Sequence, residues 1–147
     1  LELVWRLVWI NPGNSVALPT RVVDPLPAAT TYVDDSMTCT VMGQSTLQRC
    51  TFEAAQNLVV YEGTLGPDPG VTTEEQAAHA VVITFRTTVL PGVTQVANQA
   101  LAFWDATGTT SRQEHAFDIG QAPVRSGTAF GNHDPTSITL PGLACVF

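Results

Sequence analysis

The stretch Leu1-Glu2-Leu3-Val4-Trp5-Arg6-Leu7-Val8-Trp9-Ile10 decides the fold. Its odd positions, Leu1, Leu3, Trp5, Leu7 and Trp9, are all large and apolar, while the even ones mix Glu2 and Arg6 with Val4, Val8 and Ile10. A period of two is the signature of a β-strand, because successive side chains point to opposite faces. One face is expected in a core and the other partly covered. The run is apolar for at most ten residues and is broken by two charges. It therefore reads as a strand rather than as a signal peptide or a membrane anchor.

Outward from this strand, Asn11-Pro12-Gly13-Asn14 makes a turn. A second strand is predicted from Ser15 to Val23, closed by Asp24-Pro25-Leu26-Pro27, whose prolines do not fit a central ladder. Thr30 to Val33 is short and extended. Met37 to Val41 and Leu47 to Phe52 flank a turn at Gly43-Gln44, and Leu58 to Leu65 ends at Gly66-Pro67-Asp68-Pro69-Gly70. Thr72 to Ala78 is the only helix-like stretch, one or two turns at most. Val81, Ile83, Phe85, Thr87 and Val89 then alternate with Ala80, Val82, Thr84, Arg86 and Thr88 as a half-buried strand. After Pro91-Gly92, Gln95 to Trp104 gives a further strand, with weaker ones at Arg112 to Ile119, Val124 to Phe130 and Ser137 to Leu140. Short strands spaced roughly 8–12 residues apart are the pattern of an all-β sandwich.

Composition agrees. Charged residues make up 13% of the 147-residue chain, against a usual share of about 25%. Twenty threonines and seventeen valines supply a quarter of the sequence, and both are β-branched residues suited to a pleated surface. At this size a single domain hides roughly 68% of the surface its unfolded chain exposes, enough for one sizeable core.

All six basic residues are arginine, and they face thirteen acidic ones, for a net charge of -7. The absence of lysine excludes Schiff-base chemistry, a P-loop and a Lys–Asn isopeptide crosslink. The acidic balance excludes the basic patch that nucleic acid or an anionic membrane surface requires.

Of three cysteines, Cys39 and Cys50 are too far apart for a CxxC redox pair, and no histidine joins them at ligand spacing. They are read as a disulfide across neighbouring strands, which implies an oxidising compartment; two free buried thiols are the alternative. Cys145 is the odd thiol, either buried or bonded between molecules.

No enzyme is expected. Ser111, Glu114, His115 and Asp118 could be drawn as a triad, but no nucleophile elbow accompanies them, and a solvated loop is the simpler reading. His79 and His133 share no ligand spacing with another histidine. Asp34-Asp35 and Glu74-Glu75 are adjacent pairs, which on a strand point to opposite faces. Calcium in a loop built from Asp34, Asp35 or Asp68 lacks any recognised spacing. No cofactor is implied, and no N-glycosylation sequon occurs. Trp5 and Trp9 share a strand face and belong to the core, with an aromatic sugar platform as the sharper alternative. Trp104 follows Phe103 at a strand end, so one of the two is expected at the surface, and Trp104 is the candidate ligand contact.

Several of these segments also occur together elsewhere. The succession Trp5 to Gly13, Arg21-Val22-Val23-Asp24-Pro25-Leu26-Pro27 and Thr31-Tyr32-Val33-Asp34-Asp35-Ser36, followed by Leu65-Gly66-Pro67, the strand Val81 to Val89 and Val96-Ala97-Asn98-Gln99-Ala100, resembles a tandem repeat of bacterial and archaeal surface proteins. This is the domain of unknown function numbered eleven. The likeness spans about residues 4 to 105. It implies an immunoglobulin-like sandwich without catalytic residues, used as an extracellular spacer or building block. Such repeats carry an extra first strand ahead of the position of Trp5, and this chain continues well past their end.

A sandwich lacking an edge strand leaves main-chain groups unpaired and a slot in its core. The expected architecture is therefore a sandwich of roughly 7–9 strands, which a donated strand could complete. Residues 1–110 would form the core, and residues 111–147 a C-terminal extension of extra strands or donor segment. Leu1, Leu3, Trp5, Ile138, Leu140, Leu143, Cys145 and Phe147 are the candidate assembly residues. The expected function is an extracellular structural subunit that self-assembles into a surface filament or array by β-strand complementation, with copies of itself or neighbouring surface domains as its partners. A carbohydrate- or receptor-binding adhesin module and a monomeric spacer are the alternatives.

Overall fold

The computed structural model describes residues 1–11, 13–71, 74–104, 112–114 and 136–140. These form eleven strands: β1 (Glu2–Trp9), β2 (Ala17–Pro25), β3 (Thr30–Tyr32), β4 (Thr38–Val41), β5 (Thr46–Glu53), β6 (Leu58–Leu65), β7 (Val81–Val89), β8 (Gln95–Asn98), β9 (Leu101–Trp104), β10 (Arg112–Glu114) and β11 (Thr136–Thr139). A single 3-10 turn, Glu74–Gln76, precedes β7. No helix among the described residues is long and apolar enough to cross a membrane.

Two antiparallel sheets make the sandwich. In the first, β7 is central; β1 runs along one side, with Trp5 opposite Phe85, and β3 and β4 follow one another along the other. The second sheet has the order β10-β9-β2-β6-β5. A separate pair is made by β8 and β11, with Ile138 opposite Val96.

The alternation in β7 explains why these sheets stack. Val81, Ile83, Phe85 and Val89 point inward and are buried, and Thr87 on the same face is buried with them. Its hydroxyl accepts a hydrogen bond from Trp5 Nε1 at 2.8 Å, so neither polar group is left unpaired inside. Opposite them lie Val22, Val59, Tyr61, Leu65 and Ala102 of the second sheet. Each large side chain fully buried here contributes roughly 1.5–3 kcal/mol. Tyr61 keeps its hydroxyl satisfied by donating to Thr46 O at 2.6 Å, and burial pushes its phenol up to about 12.

Several expectations are refined. β2 does not stop at Val23 but runs on through Asp24 to Pro25, opposite Leu58. The proline is tolerated because it lies beyond Val23, the last residue that pairs with β9. Gln95 to Trp104 is two strands: the chain leaves β11 at Asn98 and joins β2 at Leu101. Cys39 and Cys50 are joined in a disulfide. It links not hydrogen-bonded neighbours but β4 of one sheet to β5 of the other, so it staples the two layers together.

Asp34 and Asp35 lie in a turn rather than on a strand. Ser36 N–H donates to Val33 O, and Asp35 has a φ of 58°. The predicted helical stretch is only the 3-10 turn, and Thr72 and Thr73 lie outside the described residues. So do His115 to Ile119 of one weak strand and the whole of Val124 to Phe130.

Candidate functional site

The inward alternation of the first sheet leaves its outer face with a distinct composition. Register places Glu2, Thr88 and Thr31 in one cross-strand row, Arg6, Thr84 and Thr38 in another, and Val8, Val82 and Thr40 in a third. Val4 lies opposite Arg86 between the first two. Glu2, Val4, Arg6, Thr31, Thr38, Thr40 and Arg86 are exposed, and the others half-buried. Every polar neutral side chain in these rows is a threonine, which offers a methyl and a hydroxyl from a stiff stem. Arg86 donates to Glu2 Oε2 at 2.8 Å, fixing one corner. The result is an exposed face on which threonine and valine surround three charged groups, Glu2, Arg6 and Arg86. The second sheet differs: Val23 and Val60, on its outward alternation, are both buried.

A second feature lies inside. Asp24 follows the alternation of Thr20 and Val22 and is completely buried. Asn98, at the end of β8, donates Nδ2 to Asp24 Oδ2 at 2.7 Å. The remaining oxygens, Asp24 Oδ1 and Asn98 Oδ1, find no partner among the described residues. Burial pushes the Asp24 carboxyl up to about 7, against the smaller opposing effect of the Asn98 hydrogen bond. A proton on Oδ1 removes the buried charge and gives this carboxyl a donor. Below about pH 7 Asp24 and Asn98 form a neutral acid–amide pair tying β2 to β8.

A third constellation closes one end. Asp68 is buried and accepts from the backbone N–H groups of Ala78 and His79 at 3.1 and 3.0 Å. His79 Nδ1 accepts from Gln44 N–H at 2.8 Å. Ser45 Oγ donates to His79 O and accepts from Gly66 N–H. Gly43, with a φ of 59°, lies so close to this imidazole that a Cβ there would sit 2.0 Å from Nδ1. These contacts lock the β4–β5 turn to the segment before β7. Asp68 and His79 are therefore spent on loop architecture, and among the described residues no three His, Cys, Asp or Glu side chains gather to hold a metal.

Other sequence candidates fall as follows. Trp5 and Trp9 are buried in the core. Leu3 packs against its edge, while Leu1 is 72% exposed. Ile138 and Leu140 pack into this chain's own core beside Val96. Trp104 ends β9 opposite Thr20 and Arg112, but its side chain lies outside the described residues, as do Leu143, Cys145 and Phe147. Ser111, His115, Asp118 and His133 are likewise outside them. The outer face of the first sheet does not stand out in the sequence as a site, although the even positions of β1 and β7 spell it. Nor does Asp24, whose place before Pro25 reads as a turn.

No family model matches the chain, and no curated protein matches it. Solved structures do. One is the collagen-binding domain of a Staphylococcus aureus adhesin, at a TM-score of 0.51 and 12% identity over 76% of this chain and 81% of that one. The likeness is one of fold. Another is ACE19, the collagen-binding subdomain of the Enterococcus faecalis surface protein ACE, at a TM-score of 0.50 and 9% identity over 77% and 82% of the two chains. The architecture is accordingly an immunoglobulin-like β-sandwich.

Proposed function

We propose that the chain is an adhesive module of an extracellular surface protein, and that it binds an extended protein ligand of the collagen type on the outer face of its first sheet. The observation that carries this reading is the contrast between the two sheets. One outer face is exposed and lined by threonine and valine around Glu2, Arg6 and Arg86, whereas Val23 and Val60 on the other are buried. A rod-like ligand needs such a surface: broad, stiff, and able to offer hydroxyls to a peptide backbone and methyls to its side chains.

Supporting this reading are the fold shared with two collagen-binding domains, the Cys39–Cys50 disulfide, which suits an oxidising exterior, and the resemblance to surface-protein repeats. The reading involves no cofactor and no catalysis.

The test is a solid-phase assay of the purified chain on triple-helical collagen, other matrix proteins and a glycan array. Saturable binding to collagen is expected. Binding confined to glycans and abolished by Trp104→Ala would transfer the function to a carbohydrate site. Binding to none of the three surfaces would overturn the adhesive reading.

A further inference from the structure

β8 and β11 pair with each other and, among the described residues, with neither sheet of the sandwich. Their hold on the molecule therefore rests on side chains and on the two links that flank β8. Val96 and Leu140 are buried in the core, and Ile138 packs against it. On one side of β8, Val93 N–H donates to Leu90 O in the turn that leads in from β7. On the other, the Asn98 side chain donates to Asp24 of β2 at 2.7 Å, and Gln99 and Ala100 carry the chain into β9.

This second attachment is short of donors. Four buried side-chain nitrogen or oxygen atoms lack a partner among the described residues, and three of them are Asp24 Oδ1, Asn98 Oδ1 and Gln99 Oε1. Gln99 uses its amide nitrogen on Ala100 O, so its oxygen stays bare. A buried acceptor without a partner carries the cost of its lost hydration, and a carboxylate far more than a neutral acid. No ion offsets that cost at Asp24. Its β6 partner is Val59, while Arg21 and Glu62 lie in outward register and pair with each other. The titratable groups on the inward faces of β3 and β6 are two phenols. Tyr32 is stacked on Phe52, and Tyr61 donates to Thr46 O. The core side chains of β1, β7, β8, β9 and β11 are uncharged.

We infer that ionisation of Asp24 releases the β8–β11 pair from the sandwich as a unit, which makes the pair a latch held shut in acid and loosened as pH rises. Release brings Asp24, Asn98 and Gln99 to water while the two main sheets keep their ladders. Burial of Val96, Ile138 and Leu140 opposes it and keeps the open form a minor population. In the open form the carboxyl returns to its ordinary value of 3.8, whereas the shut form holds its proton up to about 7. The shut form is therefore fully favoured below about pH 4. Opening becomes roughly tenfold easier with each pH unit above that and levels off near 7. The inference is independent of what the outer face of the first sheet binds.

The experiment is amide hydrogen exchange on the full chain from pH 5 to 8, with each amide corrected for its intrinsic exchange rate. The amides of β8 and β11 are expected to be less protected than those of β6 and β7, and their protection to fall roughly tenfold per pH unit up to about pH 7. Asp24→Asn is expected to remove that fall and to leave β8 and β11 better protected than in the native chain at pH 8. Equal protection of β8, β11, β6 and β7 would mean that the pair never opens alone, and overturns the inference. Protection of β8 and β11 that ignores pH in the native chain, or a fall that survives Asp24→Asn, overturns it as well. The native chain decides the matter by itself should Asp24→Asn fail to fold.

Discussion

Asn98 donates its side-chain amide to Asp24 across 2.7 Å in the interior of the sandwich, and Asp24 Oδ1 and the Asn98 side-chain oxygen are left without partners among the described residues. A proton on the unpartnered Asp24 oxygen removes the buried charge. Burial favours that proton, which is why the Asp24 carboxyl is pushed up to about 7 from an ordinary value of 3.8.

Stability should therefore depend on pH in a defined direction. The folded state holds the Asp24 proton across a window in which the unfolded chain has released it. The contribution is fully present below about pH 4 and is lost as pH rises to about 7. Its total span is about 4 kcal/mol. Urea titrations between pH 4 and 8 should show this decline. Asp24→Asn, which cannot ionise and can pair amide to amide with Asn98, should flatten the profile and stabilise the protein at pH 8. An unchanged slope in the variant would assign the pH dependence to other groups.

The inter-sheet disulfide should be worth about 3 kcal/mol, from the entropy of closing a loop of this length in the unfolded chain. The two cysteines are eleven residues apart in sequence. Calorimetry with and without reductant, repeated on Cys39→Ser, measures it. A reduced protein that melts at the same temperature would show that the strap contributes nothing.

Two glycines separate the cost of backbone conformation from the cost of crowding. Gly92 has a φ of 82° and open space where a Cβ would sit, so Gly92→Ala should cost about 1–2 kcal/mol. Gly43 has a similar conformation, but a Cβ there would collide with His79 and the backbone oxygen of Ala78. Gly43→Ala should cost about 3 kcal/mol or more by equilibrium unfolding. Equal losses at the two sites would mean that the His79 lock yields easily.

The paired tryptophans of β1 offer a similar contrast. Trp5 donates to the buried Thr87 hydroxyl, whereas Trp9 Nε1 has no partner among the described residues. Trp5→Phe strands a buried hydroxyl and should cost about 1–3 kcal/mol more than Trp9→Phe, which strands nothing. Denaturant midpoints of the two variants decide the point.

Much of the fold is legible in the sequence because it follows from period two. β1 and β7 are readable almost to the residue, since each has large apolar groups on one face and a mixture of valine with threonine or charge on the other. The boundaries that differ depend on partners. Pro25 can extend β2 only because β9 stops pairing before it. The break between β8 and β9 at Gln99 and Ala100 arises because the chain changes neighbours, which no local pattern records. The disulfide is expected from position, but that it spans two sheets depends on which strands share β7. The surface assigned to adhesion is present in the even positions of β1 and β7. It escapes a sequence reading because threonine on a strand looks like ordinary solvent cover until the outward valines of the opposite sheet prove to be buried. Asp24 is hidden by its own neighbour, since Asp-Pro reads as a turn wherever burial is unknown.

The adhesive reading is tested most directly by surface plasmon resonance over immobilised triple-helical collagen, comparing the native chain with two variants. Thr38→Arg combined with Thr40→Arg places bulk on the outer face of the first sheet, where both threonines are exposed. Gln48→Arg changes an equally exposed position on β5 of the other sheet. Saturable binding by the native chain is expected, weakened roughly tenfold or more by the threonine pair and unaltered by Gln48→Arg. No binding by the native chain, or equal loss in both variants, would contradict it.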